Sequence, residues 1–121
     1  MTPDPIMLVA GMNQNCQIIG GEDKVLSVDM TGYDLATASS LKWWLATSPY
    51  ALDTIIDKDM VRGITVTGNK ADIKIAASET VSIAPEIYYH EMRIVLADGS
   101  SKVALSGNVV IRKSLNVQQG S

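Results

Sequence analysis

Hydrophobic and polar residues alternate with a period of two over much of this chain, in short runs separated by turn residues at regular spacing. Lys24 to Met30 places Leu26, Val28 and Met30 on one face and Ser27 and Asp29 on the other. Leu41 to Thr47 places Leu41, Trp43 and Leu45 opposite Lys42, Trp44 and Ala46, and Ser48-Pro49 ends the run because proline cannot donate to a ladder. A short strand is expected at Thr54 to Asp57. Ile64 to Thr67 and Ala71 to Ile75 form a hairpin about the tight pair Gly68-Asn69. Ser78 can cap one helical turn over Ser78 to Val81. Ile87 to Leu96 is the longest run. It turns at Asp98-Gly99-Ser100 into Lys102 to Arg112, with Val103, Leu105, Val109 and Ile111 on one face.

About seven short strands with no long helix predict an all-β fold, most simply an antiparallel immunoglobulin-like β-sandwich. A small closed barrel is the competing architecture, because periodicity does not say whether two sheets close. Trp43, on the third strand, is the expected core anchor. Residues 1–14 break the pattern with two prolines, Ile6-Met7-Leu8-Val9-Ala10 and a polar stretch, and read as an N-terminal arm. The sandwich is expected over 15–112, and 113–121 reads as a polar C-terminal tail.

Composition narrows the function. The chain has 121 residues, 46% of them hydrophobic, and a size of this order supports one core without disulfide or metal staples. Phenylalanine is absent, so Val, Ile, Leu, Met and Ala must fill that core around Trp43 and an inward Tyr88. The net charge of −3 argues against nucleic-acid binding, which calls for a basic patch. No apolar stretch approaches the roughly 20 residues of a membrane-spanning helix. The opening Met1-Thr2-Pro3-Asp4-Pro5 lacks the basic start of a secretory signal, so the chain is expected to be made in a cytoplasm.

Reactive side chains are few. His90 and Glu91 are neighbours in a strand and point to opposite faces, so they do not converge on one proton or ion, and a neutral histidine in or beside the core is expected. Cys16, placed before the first strand, has no second thiol and no basic neighbour in sequence, and reads as a small, partly buried side chain. Asp53, Asp57 and Asp59 lack the glycine and terminal glutamate of a calcium loop, and read as a solvated connection. No catalytic residue, cofactor or metal site is expected. Trp44 and Tyr89, which alternation places opposite core-facing neighbours, are candidates for an interface, together with Ile6, Met7, Leu8 and Val9 of the arm.

A run of short motifs carries a resemblance. Ile18-Ile19-Gly20-Gly21-Glu22-Asp23, Asp29-Met30-Thr31-Gly32, Leu41-Lys42-Trp43-Trp44-Leu45, Gly63-Ile64-Thr65-Val66, the approach from Pro85 to Tyr88-Tyr89-His90-Glu91, and Gly107-Asn108-Val109-Val110-Ile111 follow in order. Over about residues 17–114 the chain resembles the small immunoglobulin-like domains of tailed-phage and prophage structural proteins, including the N-terminal domain of phage upper baseplate proteins. Those baseplate proteins usually continue into further domains. The resemblance implies a non-enzymatic virion protein on the tail or baseplate, with other virion proteins and copies of itself as partners, in a homo-oligomer or symmetric assembly. It implies no catalytic residues. A capsid decoration protein on the phage head is the nearest alternative, and a carbohydrate-binding or adhesive module with Trp44 and Tyr89 as a stacking platform is the alternative from another class.

Overall fold

The structure is a computed structural model that describes residues 5–51 and 53–113. Nine strands form among them: β1 (Ile6–Val9), β2 (Cys16–Gly20), β3 (Lys24–Asp29), β4 (Ser40–Ala46), β5 (Ile56–Asp59), β6 (Ile64–Thr67), β7 (Lys70–Ile75), β8 (Ile87–Val95) and β9 (Ser101–Lys113). One helical turn, α1 (Ala77–Thr80), lies between β7 and β8. The strands make two sheets, ordered β1-β3-β7-β6 and β2-β9-β8-β4-β5. This is the division of an immunoglobulin-like sandwich, with the consecutive strands β3 and β4 in different sheets.

Alternation builds the core. Leu26 and Val28 of β3, Trp43 and Leu45 of β4, Ile73 and Ile75 of β7, and Met92 and Ile94 of β8 all turn inward and are buried. Trp43 is fully buried, as its inward parity demands, although it lies on β4 and not on the third strand. At the start of β8 the Tyr88 hydroxyl donates to the Ala84 carbonyl at 2.6 Å. That bond pins the corner before β8 in the manner of the tyrosine corner of these sandwiches.

Several expectations need correction. The sheets are not wholly antiparallel, because β1 pairs with β3 and β2 with β9 in parallel. Residues 6–9 are not an outward arm but a strand of the four-stranded sheet, since Leu8 has a place in the core and is only 6% exposed. Residues 1–4 and 114–121, the ends of the expected arm and tail, lie outside the described residues; Lys113 closes β9. Cys16 opens β2 rather than preceding the first strand. The strand expected at 54–57 runs from Ile56 to Asp59, because Leu45 pairs with Ile56 and Lys42 with Asp59. Val103 points outward, 43% exposed. A register shift between Met92 and Arg93 puts one extra residue into β9, so Ala104 and Leu105 are both buried and the alternation expected from Val103 onward changes phase.

The helical turn is not capped by Ser78. Asp23 Oδ1 accepts from the Ala77 amide at 2.7 Å, and Glu79 Oε1 accepts from the Ala76 amide at 2.8 Å. Gly21 then donates its amide to Thr80 Oγ1 at 3.0 Å, with φ +86°. The glycine permits the left-handed turn that brings the β2–β3 connection onto α1. Glu79 also receives Lys58 Nζ at 2.6 and 2.7 Å. Lys58 lies on the edge strand β5 on the same side as Trp43, so this ion pair closes the sandwich beyond that edge. Burial works against ionisation of Glu79, but the Lys58 ammonium and the Ala76 amide outweigh it and hold the carboxyl below its usual range.

Candidate functional site

Trp44 and Tyr89 come together on the outer face of the five-stranded sheet. Trp44 stands opposite Glu91 on β8 and Asp57 on β5, and Tyr89 stands opposite Ala46. The two aromatics are therefore diagonal neighbours across β4 and β8, a separation of about 7 Å between backbones that long side chains span. Tyr89 Oη donates to Glu91 Oε1 at 2.9 Å, and Arg93 Nε donates to Glu91 Oε2 at 3.2 Å. Burial and the Glu91 carboxylate together push the Tyr89 phenol above its usual range, so it remains a neutral donor at physiological pH. Both aromatics are half-buried. Lys42 and Asp59 lie in register on the same face. The result is two half-buried aromatic side chains set among charges of both signs on the outer face of the five-stranded sheet, beside an Ala46 that is buried on the same face.

The other four candidate residues divide by parity. Ile6 and Leu8 turn to the core, whereas Met7 and Val9 remain 58% and 59% exposed at the edge of the four-stranded sheet. That edge is partly closed by the chain itself, because Gln14 Oε1 accepts from the Val9 amide at 3.1 Å. Four of the six candidates thus occupy two surfaces, one on each sheet, and Ile6 and Leu8 belong to neither.

His90 is fully buried. Trp43 Nε1 donates to His90 Nδ1 at 3.1 Å, and His90 Nε2 lies 2.6 Å from the Gln14 carbonyl. Indole N–H only donates and a carbonyl only accepts, so these partners assign the neutral ring with its proton on Nε2. Burial lowers the imidazole pKa, and the Gln14 carbonyl opposes this without reversing it. His90 stands two residues after Tyr88, where antibody domains carry the second cysteine of the inter-sheet bridge beside a buried Trp. Here a hydrogen bond to Trp43 occupies that place, with the rings edge to face at 6.1 Å.

The Gln14 carbonyl reaches His90 through a gap left by Gly107, the partner of His90 in the β8–β9 ladder. A Cβ on Gly107 would lie 2.6 Å from Gln14 O and 2.9 Å from Asn15 Oδ1. The Gln14 amide donates to Ser106 O at 2.9 Å, and the Asn108 amide to Asn15 Oδ1 at 2.8 Å. Sequence reasoning missed this arrangement. Its signals were a lone glycine inside a strand and a histidine on the core-facing parity.

Cys16 is half-buried, and burial pushes its thiol up to about 11. It is a poor nucleophile in that state. Among the aspartates expected to shape a solvated connection, Asp57 accepts from Thr54 Oγ1 at 2.6 Å, and Asp59 Oδ1 accepts the Val61 and Arg62 amides at 2.9 and 2.7 Å. No group of three or more His, Cys, Asp or Glu side chains spaced to hold a metal ion occurs among the described residues. At the opposite end of the sandwich from α1, an open cleft of about 640 Å³ is lined by Tyr33, Asp34, Asp98 and Lys102. Asp98 there is bound to the amide and hydroxyl of Ser100 at 2.9 and 2.6 Å.

No family model matches the chain, and no curated protein matches it either. Among solved structures, a structure of murine CRIg aligns with a TM-score of 0.45 and 16% identity, covering 83% of this chain and 92% of that one.

Proposed function

We propose that this chain is a non-enzymatic structural module of a tailed-phage or prophage particle. It docks on the tail, the baseplate or other virion proteins through the Trp44–Tyr89 face of its five-stranded sheet. The observation that carries the reading is the contrast between inside and outside. The buried histidine spends both ring nitrogens on fold contacts, while two half-buried aromatics stand with a Glu91–Arg93 pair on the outer face of the five-stranded sheet. Aromatic side chains bury large area at low entropic cost, and aromatic and arginine residues are enriched at contact surfaces. The ordered motifs from Ile18 to Ile111 supply the virion part of the reading. Other virion proteins and further copies of the chain are its partners, and repetition around a symmetric particle multiplies modest contacts into firm attachment.

The test is occupancy of the particle. Trp44→Ala removes the largest side chain of the face and should lower incorporation into assembled particles about thirtyfold, the scale of a central contact residue. The purified variant should keep its strand-type circular dichroism. Normal incorporation of a folded Trp44→Ala protein would count against the face. Particles containing the chain on the head would favour the capsid decoration reading. A second reading rests on the diagonal placement of Trp44 and Tyr89, which forms a stacking platform beside a carboxylate. Saccharide binding lost on Trp44→Ala would favour a carbohydrate-binding module instead.

A further inference from the structure

We infer that His90 is an acid-operated latch that fastens the N-terminal crossover, residues 10–15, to the core, and that its opening leaves strand β1 paired with β3 and Leu8 in its core position. The crossover carries the chain from the four-stranded sheet to the five-stranded one. It is held at both ends by backbone bonds, Ala10 N to Asp29 O at 2.8 Å and Gln14 N to Ser106 O at 2.9 Å. At its centre the backbone takes an uncommon left-handed turn at Asn13, with φ +62°. Its only described bond into the core is the Gln14 carbonyl on His90 Nε2.

The switching chemistry follows from the partners. A second proton must go on Nδ1, which then meets the Trp43 N–H, donor against donor at a site 3.1 Å apart. The cation so formed is sealed from water and has a single acceptor. Rings and strands around it differ in how easily they yield. β4 and β8 are interior strands with ladders on both sides, whereas the crossover is held by isolated bonds. The crossover therefore opens and admits water to the ring.

No counter-charge offsets the proton. On β8 the nearest titratable group on the same face is Tyr88, whose phenol is committed to Ala84. On β2 it is Cys16, opposite Val109, a thiol that burial keeps neutral. On β5, beyond Trp43, it is Lys58, whose charge is paired with Glu79. The buried inward residues of β1, β3, β4, β7 and β9 are apolar, and Lys24 at the start of β3 and Lys113 at the end of β9, which share their parity, are cations that offer no counter-charge; Glu91 points to the opposite face. The sign follows. A histidine whose folded pKa is depressed below its unfolded 6.5 contributes stability that is fully present above pH 6.5 and is lost as pH falls through the folded value.

Amide hydrogen exchange read by NMR, normalised for intrinsic rates, tests the latch from about pH 7.5 to about pH 4.5, with the Lys58 ammonium and the Ala76 amide holding the Glu79 carboxyl below its usual range. The Ala10 and Gln14 amides should lose protection about tenfold per pH unit below the folded His90 pKa, while β4 and β8 amides stay protected. In His90→Gln, whose side chain can accept from Trp43 and donate to Gln14 but cannot titrate, that dependence should vanish. If His90→Gln does not fold, the wild-type ring itself decides, because its NMR titration midpoint must coincide with the loss of Gln14 protection. Protection that is flat with pH, that titrates equally in His90→Gln, or that is lost simultaneously throughout the sandwich would overturn the latch.

Discussion

Trp43 offers one N–H and Gln14 one carbonyl to the same imidazole, and neither partner can change its role, so the His90 tautomer is dictated from outside the ring. Gly107 is the other half of that arrangement. Its missing side chain is the space in which the Gln14–Asn15 backbone lies, so Gly107→Ala must push backbone rather than a flexible side chain. The expected cost is about 2–3 kcal/mol, from overpacking and a weakened buried hydrogen bond, read as a lower urea midpoint at unchanged slope. An unchanged midpoint would mean that the crossover is seated elsewhere. The inward parity of His90 was legible in the sequence because alternation alone decides it. Its partner was not, since Gln14 lies 76 residues away and contributes a backbone atom that no side-chain pattern marks.

At the scale of elements, most strands were legible because one face of each is buried and period two leaves little freedom in register. The departures have local causes. The extra residue in β9 changes the phase at Val103, and pairing with Leu45 moves β5 two residues along the chain. The short motifs that looked like punctuation have mechanical roles. In Asp29-Met30-Thr31-Gly32, Asp29 Oδ1 accepts the Thr31 amide at 3.0 Å while Gly32 takes φ +99°, which turns the chain out of β3. β1 was read as an arm because four residues beside two prolines resemble a mobile end. Its Leu8, however, fills a core position and its crossover closes over His90. Removing residues 1–14 should therefore cost about 4–6 kcal/mol, the sum of a buried leucine and an unpaired buried ring nitrogen. That is comparable with the whole stability of a small domain. The truncated chain should show collapsed amide dispersion by NMR, and a well-dispersed spectrum would return β1 to the status of an appendage.

For the whole molecule, the sandwich reads as a scaffold that separates two tasks. The interior is devoted to seating Trp43, His90 and the N-terminal crossover, and the ion pair from Lys58 to Glu79 closes the side beyond β5. The exterior presents aromatic and charged groups on the five-stranded sheet and Met7 and Val9 at the edge of the other. All-β class and two-sheet architecture follow from the alternation of the chain. Which face meets a partner does not, because Trp44 and Trp43 differ only in parity and the sequence holds no record of what covers the outer one. Docking through that face is the central proposal, and a cryo-electron microscopy map of particles purified from cells that express this chain tests it most directly. The proposal predicts density for the sandwich on the tail or baseplate, with Trp44 and Tyr89 buried against a neighbouring virion protein. A particle without the chain, or one in which that face is open to solvent at every copy, would contradict it.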